Sequence, residues 1–267
     1  SSANVHYGTT STLGTTINNG GNTQNHTISL TGLDPATFYY VECFSVDGVD
    51  TAFSSLGIYS TASLSSGKIR PYFNHSVETS FSNGVDAQNI GGSFADTIAS
   101  YISKAVNTLD ICVYNASDNT IATAINDAAA RGVQVRYIAD DDAANIMLSS
   151  LNISNNLQII YRNPTPAGIM HNKFIIIDAE STNNSWVMGG STNWSNPTNL
   201  VNDYNNIIFI QDKALAKAYT LEFNEMWAGT FGTHKKDNTP HKFIIGGSLV
   251  ELYFSPSDQT TSKILET

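Results

Sequence analysis

The chain has 267 residues, 41% of them hydrophobic and 13% charged, and a net charge of −10. This length exceeds one typical domain and predicts two. No apolar run approaches the roughly 18 residues that a membrane-spanning helix needs. The acidic balance argues mildly against nucleic acid as a general partner, although it allows a local basic pocket. The low charge, with Asn, Ser, Thr and Gly at the surface, predicts a secreted, extracellular protein.

The cysteine count is low. Cys43 and Cys112 are the two cysteines of the chain, and they predict neither a disulfide framework nor a cysteine-based metal site. We expect both to be small, buried apolar residues.

Residues 1–65 predict an all-β module, because short alternating runs (NVHYG, HTISLTGL, TFYYVECFSVDG and GIYSTA) are separated by turn residues. The piece LTGLDPATFYYV resembles the L-x-P-x-T-x-Y corner of fibronectin type III modules, in which a tyrosine hydroxyl bonds back to the backbone. Tyr39 or Tyr40 would fill that position. The resemblance implies a sandwich-type module that lacks its first two strands and acts as a spacer or in adhesion.

After a short linker, SLSSGK at 63–68, strands alternate with helices. Amphipathic spacing predicts helices over 93–108, 117–131 and about 213–227. The predicted strands are IRPYF, LDICVYN, VQVRYIAD, LQIIYR and NNIIFI. This alternation predicts an α/β domain with a largely parallel central sheet.

The stretch HNKFIIIDAESTNNSWVMGGSTNW begins at His171 and predicts an antiparallel hairpin. Side chains alternate along a strand, so His171 and Lys173 share one face. The returning strand would bring them beside Ser191 and Asn193. Gly190 and the glycine before it would let a ligand approach the backbone closely.

These polar groups suit an anionic phosphate. Lys173 and Asn193 can donate hydrogen bonds to its oxygens and stabilise charge in a transition state. A histidine can attack phosphorus as a nucleophile, and this chemistry needs no metal or other cofactor. A purely structural hairpin is the competing interpretation.

The pattern H-x-K-x4-D followed by G-S-x-N resembles the HKD motif of the phospholipase D superfamily, over about residues 67–267. The matching positions are His171, Lys173, Asp178, Gly190, Ser191 and Asn193. The resemblance implies an α/β domain with a central mixed β-sheet flanked by helices, and a phosphodiesterase. It further implies a phosphohistidine on His171, with Lys173, Ser191 and Asn193 at the phosphate.

Two positions of the motif are less direct. The resemblance makes Asp178 a candidate catalytic residue, but the hairpin places it at the far end and on the other face, where it more plausibly fixes the turn. Many relatives carry a Glu-Asn pair after the motif that orients a histidine. This chain has NDYNN there, with Asn205 and Asn206, so Asp203 is the candidate for that support, along with Gly190.

The resemblance implies a second motif whose histidine protonates the leaving group, and no other histidine among the six stands in H-x-K-x4-D. IRPYFNHSV at 69–77 is similar to VELYFSPSD at 250–258. This repeat predicts a division into 1–65, 66–240 and 241–267, with the last part opening a truncated second repeat. The chain would then hold half an active site. The other half would come from a missing C-terminal repeat or a homodimer partner.

Several features keep two interpretations. The run 140–142 of three aspartates is either a cation site or a solvated loop. The basic residues Lys235, Lys236 and Lys242 either steer an anionic substrate or lie on a solvated loop. Trp194 either lines a substrate entrance or packs under the hairpin, and Arg162 is a candidate border of the site.

We therefore expect a phosphodiester hydrolase of the phospholipase D type, with a phospholipid substrate favoured. The alternative within enzymes is a metal-independent endonuclease. The alternative from another class is a non-catalytic adhesion or binding protein with a vestigial hydrolase domain.

Overall fold

The computed structural model describes residues 2–19, 24–82, 86–162 and 168–266. In the N-terminal region the described residues form one five-stranded antiparallel sheet, ordered β2-β1-β3-β4 with β5 also pairing with β3. Its strands β1 to β5 are Ala3–Gly8, Thr15–Asn19, Phe38–Asp47, Asp50–Phe53 and Gly57–Ser60. The predicted sandwich therefore appears, within the described part, as a single sheet.

Three details of this module bear on the sequence predictions. The hydroxyl of Tyr39 accepts a hydrogen bond from the backbone N–H of Asp34 at 3.1 Å, which is the corner geometry expected of Tyr39 or Tyr40. The predicted strand HTISLTGL, residues 26–33, is instead irregular. The expectation that both cysteines are buried holds for Cys112 and is wrong for Cys43, which is exposed on the inner strand β3 of this sheet. The fibronectin type III assignment stays a prediction.

The second region contains an eight-stranded sheet, ordered β10-β9-β8-β11-β12-β13-β6-β7. Strands β6 to β13 are Ile69–Phe73, Gln88–Asn89, Thr108–Val113, Gln134–Ala139, Leu157–Tyr161, Lys173–Ile177, Trp186–Gly190 and Asn206–Gln211. The pairs β10–β9, β9–β8 and β6–β7 are parallel, and the four pairs between β8 and β6 are antiparallel. The largely parallel sheet predicted from alternation is therefore wrong. The sheet is mixed, because β11, β12 and β13 follow one another without an intervening α-helix.

Helices cover both faces of this sheet. Helices α1, α2 and α3 are Phe94–Ile102, Asn119–Ala130 and Lys213–Trp227. Because successive side chains of β11 point to opposite faces, Ile175 and Ile177 pack in the core with α1 and α2, whereas Phe174 and Ile176 pack with α3. A C-terminal hairpin and short helix complete the described chain: β14 (Lys242–Ile245), β15 (Ser248–Glu251) and α4 (Thr260–Leu265).

The helix predictions hold closely for two of the three helices. Helix α3 matches its predicted range, and Asp212 caps it by accepting from the N–H of Leu215. Helix α2 begins after Asp118, whose carboxylate accepts from the N–H of Ile121, and it stays within its predicted range. Helix α1 ends at Ile102, short of the predicted 108, and β8 begins at Thr108. None of the helices in the described ranges is long and apolar enough to cross a lipid bilayer.

The linker at 63–68 packs against the second region. The hydroxyl of Ser63 donates to Asp212, and that of Ser65 donates to the carbonyl of Thr182. The N–H and hydroxyl of Ser66 both donate to Oε1 of Gln211. The predicted division of the chain at 65/66 and at 240/241 stays a prediction. The two segments of the predicted repeat have different settings, since 69–73 form a strand of the large sheet and 250–251 end a separate hairpin.

Candidate active site

The alternating strand directions bring several strand ends to one edge of the large sheet. Strands β6, β8, β9 and β12 end at this edge, and β11 and β13 begin there. The side chains that the sequence selected, His171, Lys173, Ser191 and Asn193, follow or precede these ends. The predicted hairpin is confirmed, with Ile175 opposite Met188. Continued by two residues, this register places Lys173 beside Gly190.

His171 lies just before β11, with an exposed side chain. The ring of Tyr114, which follows β8, meets the imidazole edge-to-face with centroids 4.9 Å apart. Burial, followed by the charge of Lys173, lowers the pKa of His171 below its usual value, and the Asp140 carboxylate acts in the opposite direction. A lowered pKa keeps the imidazole neutral near pH 7, which is the form that can act as a nucleophile.

Lys173 is half-buried beside the histidine. Its ammonium donates to the carbonyl of His171 at 2.9 Å and lies 5.5 Å from the ring centroid of Tyr114. Burial lowers the pKa of Lys173 to about 8. The ammonium is therefore charged at neutral pH. It can bind an anionic ligand if it gives up its hydrogen bond to the carbonyl of His171.

Asn193 is held between two buried neighbours. Thr192 and Trp194 are both fully buried, so the Asn193 side chain points to the opposite side of the backbone. The backbone of Trp194 is fixed by two hydrogen bonds: its N–H donates to the carbonyl of Asn115, and its carbonyl accepts from the backbone N–H of Ser117. Of the two interpretations of Trp194, packing in the core under the hairpin is therefore confirmed.

The amide of Asn193 lacks a full set of partners. Within the described part of the chain, its Oδ1 is buried without a hydrogen-bond partner. A buried polar atom without a partner costs about 1–3 kcal/mol. An amide can also be turned to present its N–H donors in place of its oxygen. Asn193 is thus a polar group in position for a ligand.

The β12–β13 connection fixes Ser191 and leaves Asp203 apart. The hydroxyl of Ser191 donates to Oδ1 of Asn205 at 2.8 Å and accepts from the N–H of Asn206. At Gly190 any Cβ would lie 2.3 Å from the carbonyl oxygen of Asn206, so only glycine allows this approach. Asp203 is exposed, and its carboxylate accepts from Nδ2 of Asn199. The structure thus gives Asp203 a role in the loop after β12.

Asp178 lies at the other end of β11, where it is buried. Its carboxylate accepts backbone N–H bonds from Val106, Asn107 and Thr108 at 2.7–3.0 Å, and one from Nδ2 of Asn184 at 2.6 Å. The five residues of β11 separate it from the site by about 17 Å at the usual rise per residue. Asp178 therefore fixes the turn between the strands, and the structure does not bring it to the site.

The sequence did not predict two groups near His171. Tyr114 could have been noticed only as an aromatic residue at a strand end. The sequence showed Asp140 as one of three consecutive aspartates, but it did not show that Asp140 contacts the segment before His171. Its carboxylate is buried and accepts from the N–H of Met170, the residue before His171, at 2.6 Å.

The run 140–142 is matched by a cation of the chain itself. Nη1 of Arg162 lies 3.8–3.9 Å from carboxylate oxygens of all three aspartates. This geometry accounts for the acidic run without a metal ion, and it places Arg162 at the border of the site. The loop expected between Arg162 and His171 falls partly on residues 163–167, outside the described residues.

The basic residues after α3 do not form one surface. Lys235 is buried and paired with Glu222, whereas Lys236 and Lys242 are exposed. Lys242 pairs with Glu251 at 3.5 Å. A single patch that steers an anionic substrate is therefore absent from this part of the described chain.

Known proteins resemble this chain over the part that contains the candidate site. Residues 98–227 match the family model described as cardiolipin synthase, PLD-like domain. This range contains every residue of the predicted motif. This part of the chain is therefore similar to a phospholipase D-like domain.

Curated relatives match stretches of similar length. A mitochondrial cardiolipin hydrolase from Chlamydomonas reinhardtii is 30% identical over 127 residues, which are 48% of this chain and 54% of that protein. A phospholipase D from Rickettsia conorii is 35% identical over 122 residues, 46% of this chain and 58% of that protein. The chain thus spans little more than half the length of the curated relatives it matches.

Among solved structures, the phospholipase D family member Nuc from Salmonella typhimurium aligns with 61% of this chain and 95% of its own. The sequence identity is 21% and the TM-score 0.45.

The expected secretion is wrong on these findings. Relatives from Chlamydomonas reinhardtii, Xenopus tropicalis and Drosophila melanogaster are all named mitochondrial cardiolipin hydrolase, a name that points to an intracellular location. The prediction failed because a surface rich in Asn, Ser, Thr and Gly reflects how the protein is solvated and does not determine its cellular location.

Proposed function

We propose that this chain is a phosphodiester hydrolase in which His171 is the nucleophile. The observation that carries the proposal is the grouping at one sheet edge of a histidine with a lowered pKa, an ammonium and a buried amide oxygen without a partner. These groups match the three needs of the reaction, which are a neutral nucleophile, a cation for the phosphate and a further donor for its oxygens.

In the first step a lone pair of the neutral His171 ring attacks phosphorus. The P–N bond forms, and the P–O bond to the leaving alcohol breaks. Lys173 and a turned Asn193 amide hold the non-bridging oxygens, and Ser191 lies at the same edge. In the second step water attacks phosphorus and loses a proton to the group that protonated the leaving alkoxide, the P–N bond breaks, and its electron pair returns to His171.

The leaving alkoxide needs a proton from a general acid. Among the histidines, His75 also lies at this sheet edge, after β6, where its ring stacks on Tyr204 with centroids 4.0 Å apart. Three strand spacings separate it from β11, or about 14 Å, which is too far for the same phosphate. We therefore propose that the acid comes from a second HKD motif, in a further repeat or in another copy of this chain.

A phospholipid is the proposed substrate. The matched relatives are named cardiolipin hydrolase and phospholipase D, and a net charge of −10 opposes approach of a polyanion such as DNA. Cleavage of DNA as a metal-independent endonuclease is the competing outcome. A third outcome is a non-catalytic binding protein, which the complete set of His171, Lys173 and Asn193 argues against.

The test incubates the chain with cardiolipin vesicles and, separately, with single-stranded DNA, each in EDTA. We expect hydrolysis of the lipid to persist in EDTA and to fall by more than about a thousandfold in His171→Ala, since the nucleophile is lost. Mass spectrometry of reactions that are quenched without acid should find a phosphoryl adduct on His171. The control His75→Ala should retain activity.

Two results would overturn this function. One is activity that EDTA abolishes, and the other is a His171→Ala variant as active as the parent chain. The particle mass, measured on the same samples, tests the origin of the acid. Full activity in a strictly monomeric chain would contradict a second motif supplied by another copy or repeat.

A further inference from the structure

A cleft of about 460 Å³ opens directly beside His171. One wall is the segment that leads into β11, and the other is formed by residues after α3 and near the C-terminal end of the described chain. Half of its lining is apolar. These apolar residues are Ile169, Met170, Met226, Phe231, Phe254 and Pro256.

Two cations line the cleft, and both are already matched by carboxylates. The ammonium of Lys235 is buried, pairs with Glu222 and donates to the carbonyl of Ser255 at 2.8 Å. The guanidinium of Arg162 lies among the three aspartates of the run 140–142. A nucleic acid needs cations for the phosphates on both sides of the cleaved one. These two cations face four carboxylates, so the cleft has no surplus positive charge to offer.

The Lys235–Glu222 pair also holds the far wall in place. Glu222 belongs to α3 and Ser255 to the segment after β15, so the ammonium joins the helix to that wall. Residues 231–256 of this wall lie outside the range 98–227 that matches the family model. The cleft is therefore built partly from segments that the family model does not cover, and it is bordered by the proposed nucleophile.

We propose that this cleft binds the uncharged glycerol and acyl portion of a phospholipid whose phosphate lies at His171. The proposal rests on the proposed function and adds the position of the lipid. The volume of the cleft lies within the range of small-ligand sites, about 300–1,000 Å³, and its apolar residues offer a surface to an uncharged group. Matched internal charges favour an uncharged group over a flanking phosphate.

The test measures binding without turnover. In the His171→Ala chain, calorimetry gives Kd for glycerophosphoglycerol and for its dibutanoyl, dihexanoyl and dioctanoyl phosphatidyl analogues below their micelle concentrations. A fully buried methylene is worth roughly fourfold in affinity. We expect Kd to fall by about tenfold or more across the acyl series, since burial in an open cleft is partial.

Two substitutions address the cleft itself. Ile169→Asn removes an apolar side chain that is 51% exposed at the cleft, and Ser255→Glu adds a carboxylate to its wall. Each should flatten the dependence of Kd on acyl length, measured as the ratio of Kd between the dibutanoyl and dioctanoyl analogues. Ile146→Asn is the matched control, because Ile146 is 68% exposed and lies outside the cleft. It should keep the dependence.

The same Kd for every chain length would overturn the proposal, as would an acyl dependence that survives both substitutions. Displacement of the dioctanoyl lipid by a short single-stranded oligonucleotide at lower concentration would overturn it in favour of nucleic acid. These outcomes are independent of the proposed function. A wild-type chain that is dimeric and binds the series as expected but hydrolyses none of it would refute the function and leave the cleft assignment standing.

Discussion

The two ends of the β11–β12 hairpin are both polar, and they differ in how their polar groups are satisfied. At the Asp178 end, one carboxylate accepts four hydrogen bonds, three of them from the backbone of residues 106–108. At the His171 end, Lys173 donates to its own backbone, and Oδ1 of Asn193 is buried without a partner in the described chain. The same motif thus combines a closed structural end with an end open to a ligand.

This difference separates stability from activity along one hairpin. A fully satisfied buried group contributes to folding, and its removal leaves donors without partners. A group left open costs stability and is retained where a ligand completes it. Substitutions at the two ends should therefore have opposite signatures.

The largest expected effect on stability is at Asp178. Asp178→Ala leaves three backbone N–H groups without an acceptor, and we expect the free energy of unfolding to fall by about 3–5 kcal/mol. Asp178→Asn keeps one acceptor oxygen and tolerates the left-handed backbone there (φ 45°), so it should cost less. Urea denaturation measures both. If Asp178→Ala unfolds like the parent chain but loses activity, the closed end is catalytic after all.

Asn193 should behave in the opposite way. In Asn193→Ala we expect kcat to fall by about a hundredfold, as when one donor to a developing oxyanion is lost. The melting temperature should hold or rise, because the unpartnered oxygen is removed. Asn183→Ala, an exposed asparagine in the turn at the other end of the hairpin, is the control. Equal effects of the two substitutions on kcat would break the comparison.

Lys173 provides a test by pH. Its pKa near 8 means that the ammonium loses its charge as pH rises through that value, so kcat/KM should decline above about pH 8. Lys173→Arg stays charged and should move this alkaline limb upward by at least one pH unit, even if the rate at neutral pH is lower. Lys213→Arg, whose lysine pairs with Glu180 beyond the far end of β11, should leave the limb in place. An unmoved limb in Lys173→Arg would assign it to another group.

The smallest effect concerns Asp140. Its carboxylate favours protonated His171, whereas burial and the Lys173 charge oppose protonation. Asp140→Asn keeps an acceptor for the N–H of Met170 and removes the charge. The pKa of His171 should then fall further, and the acid limb of kcat/KM should move to lower pH by less than about one unit.

Asp142→Asn is the control for this measurement. Asp142 contacts the same guanidinium of Arg162 but is largely exposed. A shift of the acid limb to higher pH in Asp140→Asn would contradict the sign. An equal shift in both variants would mean that Asp140 acts only through Arg162.

Local patterns predicted the elements whose signals are contained in a few residues. Helix α3 has an Asp212 cap and a regular apolar spacing, and its predicted range matches the structure. The helix predicted over 93–108 ends early because Asp178, seventy residues further on, binds the N–H groups of 106–108. Helix propensity depends on neighbouring residues only, so it cannot take account of a carboxylate that is distant in sequence. The strand predicted at 26–33 failed similarly, because a strand needs a partner as well as an alternating pattern.

The sequence by itself determined the hairpin, its register and the polar residues at its open end, because alternation along a strand and a short turn fix which side chains meet. Only the tertiary structure decided what surrounds them. The order of the strands placed Tyr114 and Asp140 beside His171 and put Trp194 in the core. It also formed the cleft from the segment before β11 and the residues after α3. Such neighbours are set by long-range pairing and burial, which no local pattern of residues records.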